Sequence, residues 1–305
     1  MSVDGLLVVH KPRGPTSHDI VAQARRLLGT RAVGHAGTLD PMASGVLVLL
    51  VGEATKLAPY LTLDDKSYRA TVSFGCSTDT CDAEGTPVEE LAPPEGFPDK
   101  TALEAALDEE RARTEQVPPV FSAISLGGQR AHRLARRGES VVLPARPVAI
   151  HRLMLGDCRR SSAGSPAYVT LELAVSKGYY VRSLAHDLGV RLGVPSHLSA
   201  LERTASGPYR LDDAVGWPPA AVPELVPLES AACTALPGAR LTELGEARAR
   251  TGSVLGPEHF EAPPTTPLSA WLGAGPRLVA VGRMAEDGYR VVRGFRGEFP
   301  QQKPQ

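Results

Sequence analysis

The loop Gly34-His-Ala-Gly-Thr-Leu-Asp40-Pro-Met-Ala-Ser-Gly45 places one carboxylate among three glycines, a proline and an imidazole. Glycines let a backbone approach a substrate closely, and loops between regular elements are where reactive groups are commonly displayed. An Asp before Pro is also a common turn residue, so the question is what chemistry a lone Asp could do. Phosphatases with an aspartate nucleophile carry a second Asp two positions on, where this chain has Met42. Aspartic proteases carry Asp-Thr/Ser-Gly, and here Pro41 follows. No G-x-x-x-x-G-K-[ST] loop, no G-x-G-x-x-G after a strand and no G-x-S-x-G element occurs, which argues against nucleotide cofactors and Ser-His-Asp hydrolysis. What remains is a single Asp acting covalently, with no cofactor required.

Regular elements must hold that loop. The chain opens as a strand over 6–9, a Pro/Gly turn over 11–15, and a helix. Thr16 with Asp19 has capping-box spacing, Ile20, Val21, Ala24, Leu27 and Leu28 form an apolar face, and Gly29 stops the helix. After the loop, the apolar run 46–51 suits a buried strand and 53–61 a short helix. Lys66–Phe74 sets Tyr68, Ala70, Val72 and Phe74 on one face, as a half-buried strand does. Residues 85–100 read as a Pro-, Gly- and acid-rich loop, 101–114 as a helix, 127–137 as a turn then helix, and 141–157 and 167–175 as extended. The segment 178–192 reads as a helix whose stripe is Val181, Leu184, Ala185, Leu188 and Leu192, with Arg182 off its centre. From Trp217 onward, prolines mark a connection. A helix near 241–251 and strands at 278–283 and 289–293 suggest a small β-rich C-terminal domain, with a proline-rich loop at 256–267 and a disordered tail.

The 305 residues suffice for one sizeable core plus an appendage. No apolar run reaches the roughly 18 residues a membrane span needs, and the first residues lack a secretory pattern, so a soluble cytoplasmic protein with no membrane partner is expected. Cys76, Cys81, Cys158 and Cys233 include no C-x-x-C, and no His-x-x-x-His pair stands beside them, so no structural metal is expected. Formal net charge is −1, yet residues 84–110 carry nine acids and one base, whereas 111–160 carry ten arginines and three acids. Arginine pairs with phosphate and stacks on bases, so that second segment is compatible with RNA binding, or with a solvated face neutralised by its acidic neighbour.

Six ordered segments carry a resemblance: GLLVVHKPRGPTSHDIV (5–21), GHAGTLDPMASGVLVLLVGEATK (34–56), KSYRATVSFGCSTDTCDAEG (66–85), QVPPVFSAISLGGQRAHRLARRGE (116–139), SKGYYVRSLAHDLG (176–189) and LERTASGPYRL (201–211). Together these resemble the motifs of the bacterial TruB family of tRNA pseudouridine synthases, over about two-thirds of the chain. The resemblance implies an α+β pseudouridine-synthase fold, with a mixed, mainly antiparallel sheet, flanking helices and a small C-terminal PUA-like β domain. Its implied boundaries are a catalytic domain over 1–216 with an RNA-binding insertion at about 100–140, a connection over 217–236, a PUA-like domain over 237–299 and a tail over 300–305.

It further implies isomerisation of uridine-55, in the T loop of elongator tRNAs, to pseudouridine after base flipping. Asp40 matches the catalytic aspartate, acting on the ribose anomeric carbon, on the uracil ring, or by assisting glycal formation. Tyr68 matches a tyrosine that stacks on the flipped uracil and serves as a candidate base. Arg182 matches the arginine that pairs with the aspartate; such a guanidinium holds a carboxylate charged and oriented. His35 matches a histidine that contacts RNA near the opened stack, Tyr180 a residue near the target nucleotide, and Leu201 an apolar wall of the uracil pocket. Lys11, Lys56 and Lys177 lie in matching motifs as phosphate contacts or supports of the loop. Arg130 and Arg133 fall in the arginine-rich stretch that coincides with a family insertion closing over the T arm. The chain departs from the pattern at His10, Val175 and Tyr179, where the family usually has Asp, Cys and Thr; the Tyr179 change is expected to alter packing around Arg182.

The expected partner is tRNA, through its T arm, with no guide RNA, no cofactor and a monomeric protein. One rival is an RNA-binding tRNA-folding chaperone with incidental or no catalysis, against which stands the retention of Asp40, Tyr68 and Arg182 together. A second is a guide-RNA-dependent synthase, against which stands the arginine-bearing insertion, suited to binding the T arm unaided.

Overall fold

The computed structural model describes residues 4–62, 65–122, 125–126, 129–130, 137, 143–162, 167–275 and 277–296. The chain begins with β1 (Gly5–Lys11), α1 (Ser17–Leu27), β2 (Val33–His35), β3 (Ala43–Val51), a 3-10 turn over Gly52–Leu57, α2 (Ala58–Leu61), β4 (Lys66–Phe74), β5 (Cys76–Thr78), β6 (Pro87–Glu90) and α3 (Lys100–Arg111). Then come β7 (Glu115–Gln116), β8 (Ser125–Leu126), β9 (Gln129–Arg130), β10 (Arg146–Pro147), β11 (Ile150–Arg159), β12 (Tyr168–Val175), α4 (Val181–Leu192), β13 (Ser196–Ser206), β14 (Tyr209–Arg210), β15 (Val215–Gly216) and β16 (Val226–Pro227). The chain ends with α5 (Leu228–Ala235), β17 (Gly238–Arg240), α6 (Glu243–Arg250), β18 (Leu268–Leu272), β19 (Leu278–Ala285) and β20 (Gly288–Gly294).

The main sheet has the order β11-β12-β4-β13-β3-β1-β15, with β14 on β13, β16 on β1 and β2 on β3. Its ladders are antiparallel except β13–β3 and β1–β15. The expected α+β class, with a mixed and mainly antiparallel sheet, is what the protein has.

The apolar run of β3 is buried along nearly its whole length because it has a core on each side. Successive side chains of a strand point to opposite faces. Leu47, Leu49 and Val51 accordingly join one core with α1, α3 and α4, through residues such as Ile20, Leu107 and Leu184. Val46, Val48 and Leu50 join a second core with Ala231 and Ala232 of α5 and with Ala270, Leu278, Val281 and Phe295. The second core is therefore shared between the main sheet and the small sheet β17-β18-β19-β20.

Helix α1 starts where its cap dictates: Asp19 N–H donates to Thr16 Oγ1 (3.1 Å) and Thr16 N–H to the Asp19 carboxylate (2.8 Å). Helix α4 starts at Val181 rather than at 178, because Gly178 takes φ +84° and Tyr180 stays extended. Besides several short strands, the sequence reading lacked β13, α5 within the segment 217–236 that read as a connection, and β18. Most of the expected helix over 127–137, and the whole tail 300–305, lie outside the described residues.

Candidate active site

Asp40 lies in the loop between β2 and β3, and buried polar groups hold that loop from three directions. Ser17, at the start of α1, accepts the Leu39 N–H (2.8 Å) and donates its hydroxyl to the Leu39 carbonyl (3.1 Å). From β13, Arg203 is 1% exposed and donates to the carbonyls of Val46 (Nε, 2.7 Å), Thr38 (Nη1, 3.2 Å) and Gly37 (Nη2, 3.1 Å). Lys11, fully buried, donates from Nζ to Pro12 O (2.9 Å) and Pro15 O (2.8 Å) and reaches Pro41 O at 3.4 Å. Burial lowers the Lys11 pKa to about 8, against the pull of Glu84 and Asp40. Gly45 closes the loop opposite Arg203 in the parallel ladder, at φ +108°; a Cβ there would lie 2.2 Å from the Arg203 carbonyl oxygen. Only glycine allows that approach.

The pair that the sequence suggested is made. Arg182, on the first turn of α4, sets Nε 2.9 Å from Asp40 Oδ2, with Nη2 3.5 Å from Oδ1. The guanidinium is itself fixed by donating to Thr80 O (3.1 Å) and Phe121 O (3.0 Å), and its Nε lies 3.6 Å from Oδ2 of buried Asp82. Asp40 remains about one-third exposed, whereas the Arg182 side chain is 7% exposed. The result is a carboxylate clamped from behind by a buried cation and open in front.

In front of Asp40 is a cleft of about 550 Å³. Tyr68, Tyr180, Arg182, Leu201 and Lys177 line it together with Asp40. Strand register explains part of the convergence, since Leu201 on β13 stands opposite Ala43 of β3 and Ala70 of β4, while Tyr68 stands opposite Arg203. Burial raises the Tyr180 pKa above its usual value, against the opposing pull of Ser122 and the Arg182 charge. Glu84 also lines the cleft, and burial beside Asp82 and Asp40 raises its carboxyl above the usual range.

Three other candidates stand elsewhere. Lys11 supports the loop from beneath. His35 sits outside the cleft lining, edge-on to His18 at 5.5 Å between ring centroids, with its buried Nδ1 lacking a partner among the described residues. Burial and the neighbouring charges of His18 and Arg203 keep the His35 pKa below its usual value. Lys56 pairs with Glu53, donates to Gly294 O (3.0 Å) and stands over the Phe295 ring, which ties the 3-10 turn to the C-terminal sheet. The side chain of Arg130 and the whole of Arg133 lie outside the described residues. Among the described residues, no group of three His, Cys, Asp or Glu is arranged to hold a metal ion.

Sequence reasoning missed Asp82, Gln116 and Arg203. Asp82 lies inside the quoted segment 66–85, and an acid so close to a glycine turn was its available signal.

Residues 25–181 match the family model described as TruB family pseudouridylate synthase, N-terminal domain. The chain is 48% identical over 248 residues to tRNA pseudouridine synthase B of Thermobifida fusca, covering 80% of this chain and 84% of that one. It is 50% identical over 216 residues to the protein of the same name from Mycobacterium avium, covering 71% and 69%. Among solved structures, a Cbf5-Nop10-Gar1 complex contains a chain that superposes with TM-score 0.69 at 24% identity, over 95% of this chain and 84% of that one. An H/ACA RNP bound to a substrate RNA containing 2'-deoxyuridine gives TM-score 0.68 at 22% identity, over 96% and 85%. These two establish shared fold. The family match over half the chain, with relatives about half identical along most of their own length, shows that this protein belongs to the TruB family of pseudouridine synthases, which are isomerases.

Proposed function

We propose that this protein isomerises uridine-55, in the T loop of elongator tRNAs, to pseudouridine, with Asp40 as the nucleophile. The observation that carries the reading is the Asp40–Arg182 pair at the base of an open cleft walled by Tyr68. The relatives named tRNA pseudouridine synthase B support tRNA as the substrate class.

A base must leave its stack to reach such a carboxylate, at a cost of about a few kcal/mol, and must then be held by stacking and edge contacts. The cleft has room for one nucleoside, Tyr68 offers a ring face, and Leu201 an apolar wall. Arg182 holds Asp40 Oδ2 closely and Oδ1 more loosely, which leaves Oδ1 the freer oxygen for attack. The glycosidic C–N bond breaks, the uracil turns, and carbon five bonds to the ribose while its proton departs. Reactant and product are isomers, so nothing else is consumed. Attack at the anomeric carbon, addition to the uracil ring and a glycal route all use this one carboxylate.

Lys177, at the mouth of the cleft, meets phosphate, a contact that positions the RNA without reading its sequence. The protein works as a cytoplasmic monomer without guide RNA, and its C-terminal sheet is PUA-like. The test is release of tritium from uracil carbon five of unmodified tRNA by the purified protein alone. Release by wild type and not by folded Asp40→Asn is the expected result. Tight tRNA binding without release would favour a tRNA-folding role, and a requirement for guide RNA would overturn the autonomous reading.

A further inference from the structure

We propose that Gln116 is a positioning residue for this reaction: its buried amide fixes the first turn of α4 and so sets where Arg182 and Tyr180 stand relative to Asp40. The proposal rests on the reading of Asp40 and Arg182 as the reacting pair. Gln116 is 2% exposed, and its carboxamide makes two reciprocal bonds with one distant residue. Nε2 donates to Tyr180 O (3.0 Å), and Oε1 accepts the Tyr180 N–H (2.7 Å). A side-chain amide here pairs with a peptide as neighbouring strands pair with each other, satisfying a donor and an acceptor at once.

Tyr180 is where such a partner matters. It is the extended residue before α4, at φ −109° and ψ 111°, and no side chain of its own caps the helix. Gly178, at φ +84°, has just turned the chain. A glycine followed by an uncapped helix start has little local restraint of its own, and Arg182 lies two residues beyond it. Gln116 supplies that restraint from the other side of the site. Its neighbours act on the same turn, as Ser183 Oγ donates to Val117 O (3.0 Å) and Arg182 Nη2 to Phe121 O (3.0 Å). Gln116 is anchored in its turn by β7, where it pairs with Arg146 of β10. It does not line the cleft, so its effect on chemistry passes through Arg182 and Tyr180.

The experiment compares single-turnover tritium release, tRNA affinity and thermal melting for wild type, Gln116→Leu and Gln116→Glu. Leu keeps the bulk and removes both bonds. Glu keeps the acceptor for the Tyr180 N–H but, when ionised, sets an oxygen against the Tyr180 carbonyl. Misplacing a catalytic group by about 1 Å costs on the order of 100-fold, so release should slow by about 10- to 100-fold in folded variants that still bind tRNA. Protonated Glu regains a donor, so the deficit of Gln116→Glu should shrink as pH falls, which keeps the test open if Gln116→Leu does not fold.

A double-mutant cycle separates positioning from general support. If Gln116 acts through Arg182, then Gln116→Leu slows Arg182→Lys far less than it slows wild type. Equal slowing in both backgrounds, unchanged release by folded variants, or a Gln116→Glu deficit indifferent to pH overturns the proposal. Absence of release from wild type overturns the assigned reaction as well, so the two failures are distinguishable.

Discussion

Arg182 Nε lies 3.6 Å from Asp82 Oδ2, and both side chains are almost wholly buried. The guanidinium is therefore shared between two carboxylates, the nearer one, Asp40, facing the cleft. Asp82 is built in: its Oδ1 accepts the Thr80 hydroxyl (2.6 Å) and the Glu84 N–H (3.1 Å). A second anion beside the cation, itself on the cleft lining, offsets its charge and helps to fix the plane of its fork, which one flexible carboxylate alone would not do. Asp82→Asn keeps shape and one acceptor but removes the charge. Turnover should fall by roughly 10- to 100-fold, since a displaced Arg182 misaligns Asp40. The loss of stability should stay below the roughly 3–5 kcal/mol of a fully broken buried pair. Single-turnover rates alongside melting curves check this, and a wild-type rate would dismiss the shared clamp.

Lys11 gives a pH signature. Its folded pKa of about 8 lies below the ordinary 10.5, because burial disfavours the ammonium. Between those two values the unfolded chain binds more protons than the folded one, so this group makes stability rise with pH across that window. Below pH 8 the full cost, on the order of 3 kcal/mol, is present. Lys11→Met removes the slope but also removes the donors to the Pro12 and Pro15 carbonyls. Denaturant unfolding between about pH 7.5 and 10 should therefore show wild type gaining on the variant as pH rises. Parallel curves would mean that Lys11 does not titrate in this range.

Tyr179 answers the expectation that its presence alters packing near Arg182. Its hydroxyl donates to Glu110 Oε1 (2.8 Å), a fully buried carboxylate that also pairs with Arg191 (2.7 Å) and Arg113 (2.8 Å). Burial and the adjacent Glu110 push the phenol well above its usual range, so it stays a donor. The bond joins α3 to the entry of α4. Tyr179→Phe should cost about 1.5–3 kcal/mol, the worth of a hydrogen bond to a charged group, and lower the melting temperature by several degrees. Tritium release should be nearly unchanged at a temperature where the variant is folded. A large loss of activity without loss of stability would instead place the Tyr179 hydroxyl in the chemistry.

The contrast between what the sequence exposed and what it hid has physical causes. Lys66–Phe74 declared itself because one strand face is buried and regular, and its observed bounds are those expected. Strand β13 stayed hidden because irregularities between Leu198 and Ala200 and between Arg203 and Ala205 break its alternation, and because a buried arginine reads as a surface residue. Helix α5 was hidden by composition, since LESAACTA presents small residues rather than an apolar stripe. The Asp40–Arg182 contact spans 142 positions and came from motif resemblance, not from spacing. Gln116 carries no local signal, because its partner is a backbone that only the fold brings near; Asp82 stands close to a glycine turn, but its guanidinium partner is far away in sequence.

The shared second core bears on how the C-terminal sheet can be studied. Phe295 is 4% exposed and packs in the same cluster as Leu6, Val8 and Val46, with Lys56 above its ring. Arg296 N–H donates to the Glu53 carboxylate (2.8 Å), which fastens the last described residues to the 3-10 turn that follows β3. Removing residues 237–305 would strip this cover and leave an apolar face in water. Such a truncation should therefore aggregate or unfold, whatever the sheet does for RNA. Phe295→Ala should cost about 3–5 kcal/mol by the cavity it leaves, and should destabilise the whole chain in one transition rather than release a separate unit. Two transitions, with the first confined to the C-terminal sheet, would contradict a shared core. Substituting exposed Arg283, Arg290 and Arg293 on β19 and β20 leaves that core intact. Loss of tRNA affinity in those variants, with melting unchanged, assigns the sheet to RNA binding; retained affinity assigns it to stability.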